Sequence, residues 1–136
     1  MTTGPDVIAA YFAAVNQEDW GRLAALWCAD AEFRAVGTRP RHGPADIVAF
    51  FEGLFTPWAT HVDTPTRVLE CGSSAAVEVR FTGTTRAGLD VAFDAVDIFD
   101  LRDGRIGRLS NWYDIALVRR LLAASPPAVT PPAVID

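Results

Sequence analysis

The chain has 136 residues, 50% of them apolar, which suits one domain with its own core and excludes two domains, a repeat array or a largely disordered chain. A formal net charge of −5 removes the attraction on which non-specific nucleic-acid and anionic-lipid binding depend, so neither nucleic acid nor a membrane is expected as a partner. All twelve basic residues are arginine. This bias is read as GC-rich coding rather than function, but it excludes Schiff-base chemistry, a P-loop lysine and a pyridoxal-phosphate anchor.

Met1 to Asp6 lack a basic stretch followed by an apolar one, and no run approaches the ~18 apolar residues of a membrane span, so a cytoplasmic protein is expected. Thr3 followed by Asp6 resembles a capping box. Val7, Ile8, Tyr11, Phe12 and Val15 then recur at helical spacing, predicting a first helix to about Asn16. Asp19 is placed to cap a second helix with an inward stripe of Trp20, Leu23, Ala24 and Trp27. Cys28-Ala29-Asp30 breaks into a short strand over Glu32 to Val36. Cys28 and Cys71 form no CxxC motif and are both expected as small core thiols. After the turn from Gly37 to Gly43, Pro44 suits the first position of a third helix that ends before Pro57. Its wide apolar face, including Ile47, Phe51 and Phe55, is suited to packing on a sheet. From Thr60 the period changes to two, predicting four antiparallel strands and then a short helix from Ile115 to about Ala123. The proline-rich stretch 125–136 cannot continue that helix and is expected as an extended or disordered tail, leaving one domain over residues 1–124. Helices first and strands second make an α+β domain, one helical layer covering one curved sheet.

The segment from Val91 to Phe99 is the most informative. Its odd positions are apolar except for Asp97. A three-residue loop of Arg86, Ala87 and Gly88, with glycine left-handed, pairs Thr85 with Leu89. That register sets Phe81 opposite Phe93, Val79 opposite Ala95 and Val77 opposite Asp97, while Arg80 meets Asp94 on the other face as an opposite-charge pair. Asp97 is then a single acid in an apolar wall. A buried ionised carboxylate without a partner costs several kcal/mol, so Asp97 must be paired, exposed to a cavity, or protonated.

Four motifs, Tyr11 within Ala10-Tyr-Phe-Ala-Ala-Val-Asn-Gln-Glu-Asp-Trp20, His42-Gly-Pro-Ala-Asp-Ile-Val-Ala-Phe-Phe51, Phe93-Asp-Ala-Val-Asp-Ile-Phe-Asp-Leu-Arg-Asp-Gly-Arg-Ile106 and Asn111-Trp-Tyr-Asp114, stand in this order. The chain thereby resembles the nuclear-transport-factor-2-like superfamily, of cystatin-like fold, over residues 5–122, and in particular its SnoaL-like polyketide cyclase and ketosteroid isomerase branches. The resemblance implies a cone in which helices pack on a strongly curved antiparallel sheet around an apolar pocket, and a homodimer. It also matches Tyr11 and Asp97 to the isomerase's two oxyanion donors, the second a carboxyl kept protonated by an apolar site. The isomerase's base falls on Ala35. The catalytic Arg and Asp pair of the limonene-epoxide-hydrolase branch falls on Glu78, Arg80 and Asn111, so that set is absent.

With Tyr11 and Asp97 as enolate-stabilising donors, the proton-moving candidates are His42 in the turn before the third helix and His61, with Asp63 on its face able to orient the imidazole. Trp27, Trp58, Val79, Phe81, Phe93, Leu109 and Tyr113 are candidate lining, and Asn111 a polar donor to a substrate carbonyl. The histidines and carboxylates show no ligand spacing, so no metal and no cofactor are expected. The leading reading is a cofactor-independent acid/base isomerase or cyclase for a small hydrophobic carbonyl compound, polyketide-like or steroid-like, in secondary metabolism. The alternatives are a non-catalytic binder of a small apolar ligand, motivated by Ala35, an epoxide hydrolase or ether-forming cyclase using rearranged acids, and a protein-interaction role like that of the superfamily's transport members.

Overall fold

The computed structural model describes residues 4–124; Thr3 of the predicted capping box and the stretch 125–136 lie outside the described residues. The chain runs α1 (Gly4–Asn16), α2 (Trp20–Ala25), β1 (Trp27–Ala35), β2 (Arg41–His42), α3 (Gly43–Phe55), β3 (Trp58–Cys71), β4 (Ser74–Thr85), β5 (Asp90–Arg102), β6 (Arg105–Tyr113) and α4 (Ile115–Ala123). Local chemistry sets the ends. Asp19 accepts from the Arg22 amide to start α2, and Asp114 accepts from the Leu117 amide to start α4. Pro44 lies in the first turn of α3, where a missing N–H costs nothing.

Six strands form one sheet in the order β2-β1-β6-β5-β4-β3. The sheet is mixed rather than wholly antiparallel, because β1 runs parallel to β6. The chain lays β1 down before α3 crosses the sheet and the β3–β6 meander is built, and β1 then joins the meander beside its last strand. The predicted short strand was also too short. β1 begins at Trp27, which therefore leaves the α2 stripe, and a register shift between Trp27 and Glu32 hides its alternation from a period-two reading.

The β4–β5 hairpin has the predicted loop. The Thr85 amide donates to the Leu89 carbonyl and the Gly88 amide to the Thr85 carbonyl, both at 2.9 Å, with Gly88 left-handed at φ 91°. Phe81 faces Phe93, Val79 faces Ala95, Val77 faces Asp97 and Arg80 faces Asp94, as the turn chemistry requires.

Following the ladders sideways defines the concave face: Phe33 and Ala35 on β1, Leu109, Asn111 and Tyr113 on β6, Phe93 to Phe99 at odd positions on β5, Val77, Val79 and Phe81 on β4, and His61 and Asp63 on β3. Val7, Ile8, Tyr11, Phe12 and Val15 of α1 and Ile47, Phe51 and Phe55 of α3 bury their stripes in the same core. Beyond Asp63, β3 outruns the helical layer and is exposed from Thr64 to Cys71. Cys71 is therefore a surface thiol, against expectation, whereas Cys28 is buried with its Sγ directed at the Arg102 carbonyl.

Gly83 is the tightest point of the wall. A Cβ there would sit 2.7 Å from the Thr60 carbonyl oxygen and 2.9 Å from Trp58 Cε3, while one at Gly53 of α3 would meet nothing within 4 Å. We expect Gly83→Ala to lose about 1–3 kcal/mol by overpacking and Gly53→Ala to gain about 0.5–1 kcal/mol from helix propensity. Urea midpoints moving in opposite directions at unchanged slope would check both.

Candidate active site

Three acidic groups from three elements meet on the concave side. Tyr11, carried inward by the α1 stripe, is 3% exposed, and its ring is met edge-on by Phe12, Trp27, Phe51 and Phe99. Burial, then the negative charges of Asp97 and Asp63, hold its phenol well above the ordinary value of 10, so it remains an O–H donor. Asp97 is 4% exposed. Its Oδ1 accepts from Asn111 Nδ2 at 2.6 Å across the β5–β6 ladder. Burial raises its pKa to about 7, against the lowering effect of that hydrogen bond and with a further push from Asp63. Asp63, partly buried on β3, is raised by burial to about 6.

Asp63 is held through its backbone. Its amide donates to Asn16 Oδ1 at 2.8 Å, and its carbonyl accepts from Asn16 Nδ2 at 2.9 Å. The side chain is thereby left free to face the two other acids.

The two histidines separate. His42 is exposed at the N-cap of α3, with its amide donating to Asp46 Oδ2. It pairs with Glu32, which alternates with buried Phe33, so it projects from the convex face, away from Tyr11 and Asp97. His42 is therefore not part of this site. His61 does face inward, stacked on Phe55 with ring centroids 3.9 Å apart. Its Nε2 lies 3.2 Å from Glu18 Oε1, so the carboxylate that orients it is Glu18 rather than Asp63. Its Nδ1, like Trp27 Nε1, is buried without a hydrogen-bond partner among the described residues.

Among the expected lining residues, Trp58, Phe81, Phe93 and Tyr113 form an aromatic strip across β3 to β6, with successive centroids 4.9, 4.8 and 5.2 Å apart. Trp27, Val79 and Leu109 are buried in the wall. Asn111 directs its amide at Asp97 rather than at open space. Asp63, Phe93, Asn111 and Tyr113 are the partly exposed rim of the concave face, the side from which a ligand would reach the acids. Two open grooves of about 360 and 510 Å³ lie over the convex side, and none of the three acids lines either.

Asp63 as a member of the cluster, and Asn16 and Glu18 as its supports, were not singled out from sequence. The shared face of His61 and Asp63 was visible there, but the docking of the α1–α2 turn on β3 has no local signal. Glu78 and Arg80 are exposed and paired outward with Arg67 and Asp94, so neither faces the concave side. The described residues contain no cluster of metal-ligating side chains and no helix long and apolar enough to cross a membrane.

The family model described as SnoaL-like domain matches residues 8–109. No curated protein matches the chain. Among solved structures, an NTF2-like protein of unknown function from Burkholderia pseudomallei superposes with a TM-score of 0.83 at 19% identity, covering 91% of this chain and all of that one. A Xanthomonas campestris pv. campestris protein named a polyketide cyclase gives 0.82 at 19% identity, covering 88% of this chain and 96% of that one. A Mycobacterium tuberculosis epoxide hydrolase of the limonene-epoxide-hydrolase-like type gives 0.75 at 18% identity, covering 88% of each. At these identities the likeness establishes an NTF2-like fold.

Asp97 holds its proton more tightly folded, at about 7, than at the ordinary 3.8, and Asp63 does so at about 6. Between these limits the native state binds more protons than the unfolded state, so this contribution is fully present below about pH 4 and is lost as pH rises through 6 and 7. For Asp97 alone the loss is on the order of 4 kcal/mol. Urea titrations across that range should show the decline. Asp97→Asn should flatten most of it and be the more stable protein at about pH 8, and a stability that instead rises with pH in wild type would contradict the protonation of Asp97.

Proposed function

From the premise that this chain belongs to the SnoaL-like domain family, we propose that it is a cofactor-independent acid/base enzyme that isomerises or cyclises a small hydrophobic carbonyl compound. The observation that carries this reading is the electrostatic linkage of Tyr11, Asp97 and Asp63, with the two carboxyls raised unequally, to about 7 and about 6. Two acids whose environments separate their pKa values divide the roles of acid and base. Near pH 6.5 the leading form keeps the proton on Asp97 and leaves Asp63 ionised.

The substrate's rings lie along the Phe81–Phe93–Tyr113 strip and its carbonyl oxygen faces the Tyr11 hydroxyl and the Asp97 acid. Asp63 takes the proton from the carbon next to the carbonyl. The C–H electron pair becomes the enolate double bond, and charge gathers on the oxygen between the two donors. Such preorganised donors contribute on the order of 3 kcal/mol each. Asp63 then returns the proton to a different carbon, which isomerises the substrate, or the enolate carbon bonds to a second carbonyl whose oxygen collects the proton, which closes a ring. Asp63 thus takes the proton-moving role that the sequence suggested for a histidine. His61 is engaged by Glu18, and Asp63 is the group whose charge bears on both donors.

A second reading is supported by the same acid/base pair and by the epoxide-hydrolase neighbour: Asp97 protonates an epoxide oxygen while Asp63 activates water. Incorporation of label from ¹⁸O-water would select it.

Deuterium uptake at the α-carbon of a cyclic ketone panel in D₂O tests the first reading. We expect Asp63→Asn and Tyr11→Phe each to slow exchange by roughly 100-fold, and the wild-type rate to follow a bell with apparent pKa values of about 6 and about 7. Exchange at the wild-type rate in both folded variants would refute it.

A further inference from the structure

β3 is the outer strand of the sheet, and an edge strand normally leaves every second N–H and C=O to water. At Asp63 both groups are taken instead by one side chain, Asn16, with bonds of 2.8 and 2.9 Å. A carboxamide supplies a donor and an acceptor together, which is what a neighbouring strand would supply at that residue. The bonds therefore hold the backbone on both sides of Asp63, and with it the direction of the Cα–Cβ bond.

Asn16 is the last residue of α1, and Tyr11 lies five residues earlier on the same helix, about 7.5 Å along its axis. Two residues beyond Asn16, Glu18 meets His61, two residues before Asp63. The turn thus grips β3 at two successive inward residues. Glu18 has φ 53°, in the left-handed region. A non-glycine residue pays about 1–2 kcal/mol for that conformation in general.

We propose that Asn16 is a positioning residue which, through the backbone of Asp63, fixes the proton acceptor at a set distance from Tyr11 on the same helix. This rests on the reading of Asp63 as proton acceptor. The rigid helix, rather than the curvature of the sheet, sets the spacing of base and donor. Glu18 and His61 form the second, supporting grip.

The test compares Asn16→Ala with Ser74→Ala, which removes a hydrogen bond from the start of β4 to Asp100 of β5 and serves as a control for a merely structural loss. In the exchange assay Asn16→Ala should lower kcat by ~10- to 100-fold, the scale of a small misplacement of a reacting group, with KM little changed. Ser74→Ala should leave both constants near wild type. By carboxyl NMR titration the Asp63 pKa, about 6 in wild type, should fall towards 3.8 in Asn16→Ala as the freed side chain reaches water, and stay in place in Ser74→Ala. Asn16→Ala that leaves the Asp63 titration and kcat unchanged overturns the proposal, as does an equal effect of Ser74→Ala. If wild type shows no exchange, the catalytic reading fails, and the Asp63 titration alone still decides the clamp.

Discussion

Everything on the concave side depends on one constraint: the Asp97 carboxyl sits in an apolar wall where, among the described residues, one side-chain donor, Asn111 Nδ2, reaches one of its oxygens. One hydrogen bond does not replace the hydration of a full negative charge. Burial therefore raises the Asp97 pKa to about 7, and in its protonated form the carboxyl is a hydrogen-bond donor. The same burial keeps the Tyr11 hydroxyl protonated, so two O–H groups face one region from opposite layers, the helix above and the sheet below. The apolar packing around them, Phe12, Phe51 and Phe99 against the Tyr11 ring, is the source of their protonation as well as of the domain's stability.

The acids also act on one another. An ionised Asp63 raises both Asp97 and Tyr11, so loss of its proton favours the protonated form of the two other groups. This is a like-charge effect confined by low dielectric. It couples the protonation of the three groups without a conformational change. In the proposed mechanism stability and function would pull in opposite directions at Asp97, where the neutral amide is expected to fold better and to donate no carboxyl proton.

Much of this was legible in the sequence because it is local or strictly periodic. Arg86-Ala87-Gly88 selects one loop, the loop fixes one register, and the register alone turns Asp97 inward and pairs Arg80 with Asp94. The α1 stripe exposes Tyr11 to the core by the same kind of argument. The failures are long-range. β1 starts at Trp27 with a register shift that breaks its alternation, and its parallel pairing with β6 joins residues more than seventy positions apart. The Glu18 carboxylate beside His61 comes from the α1–α2 turn docked on β3, which no local pattern at His61 signals. Glu18 and Asn16 lie in a polar run, Asn-Gln-Glu-Asp, indistinguishable from an ordinary turn, and only the tertiary fold reveals that two of its members reach β3. From the sequence Asp63 reads only as the neighbour of His61 on one face, because its approach to Asp97 is set by tertiary packing and not by local pattern.

That packing also accounts for Ala35. It lies in the lateral row Ala35–Asn111–Asp97, in which Asn111 separates it from Asp97 on the same face of the sheet. An aspartate at 35 would compete with Asp97 for the one Asn111 amide and add a second buried charge beside it. A carboxylate on β3, at the opposite side of the sheet, instead reaches the same space from across the cup, at the rim where water can solvate it in part. Its pKa is raised to about 6, against about 7 for Asp97. Because β3 is an edge strand, this placement needs a support that a central strand would not, and the α1 terminus provides it. The position of Asp63, the partial exposure of the rim and the carboxamide of Asn16 are in this sense one arrangement, set by which strand carries the acid.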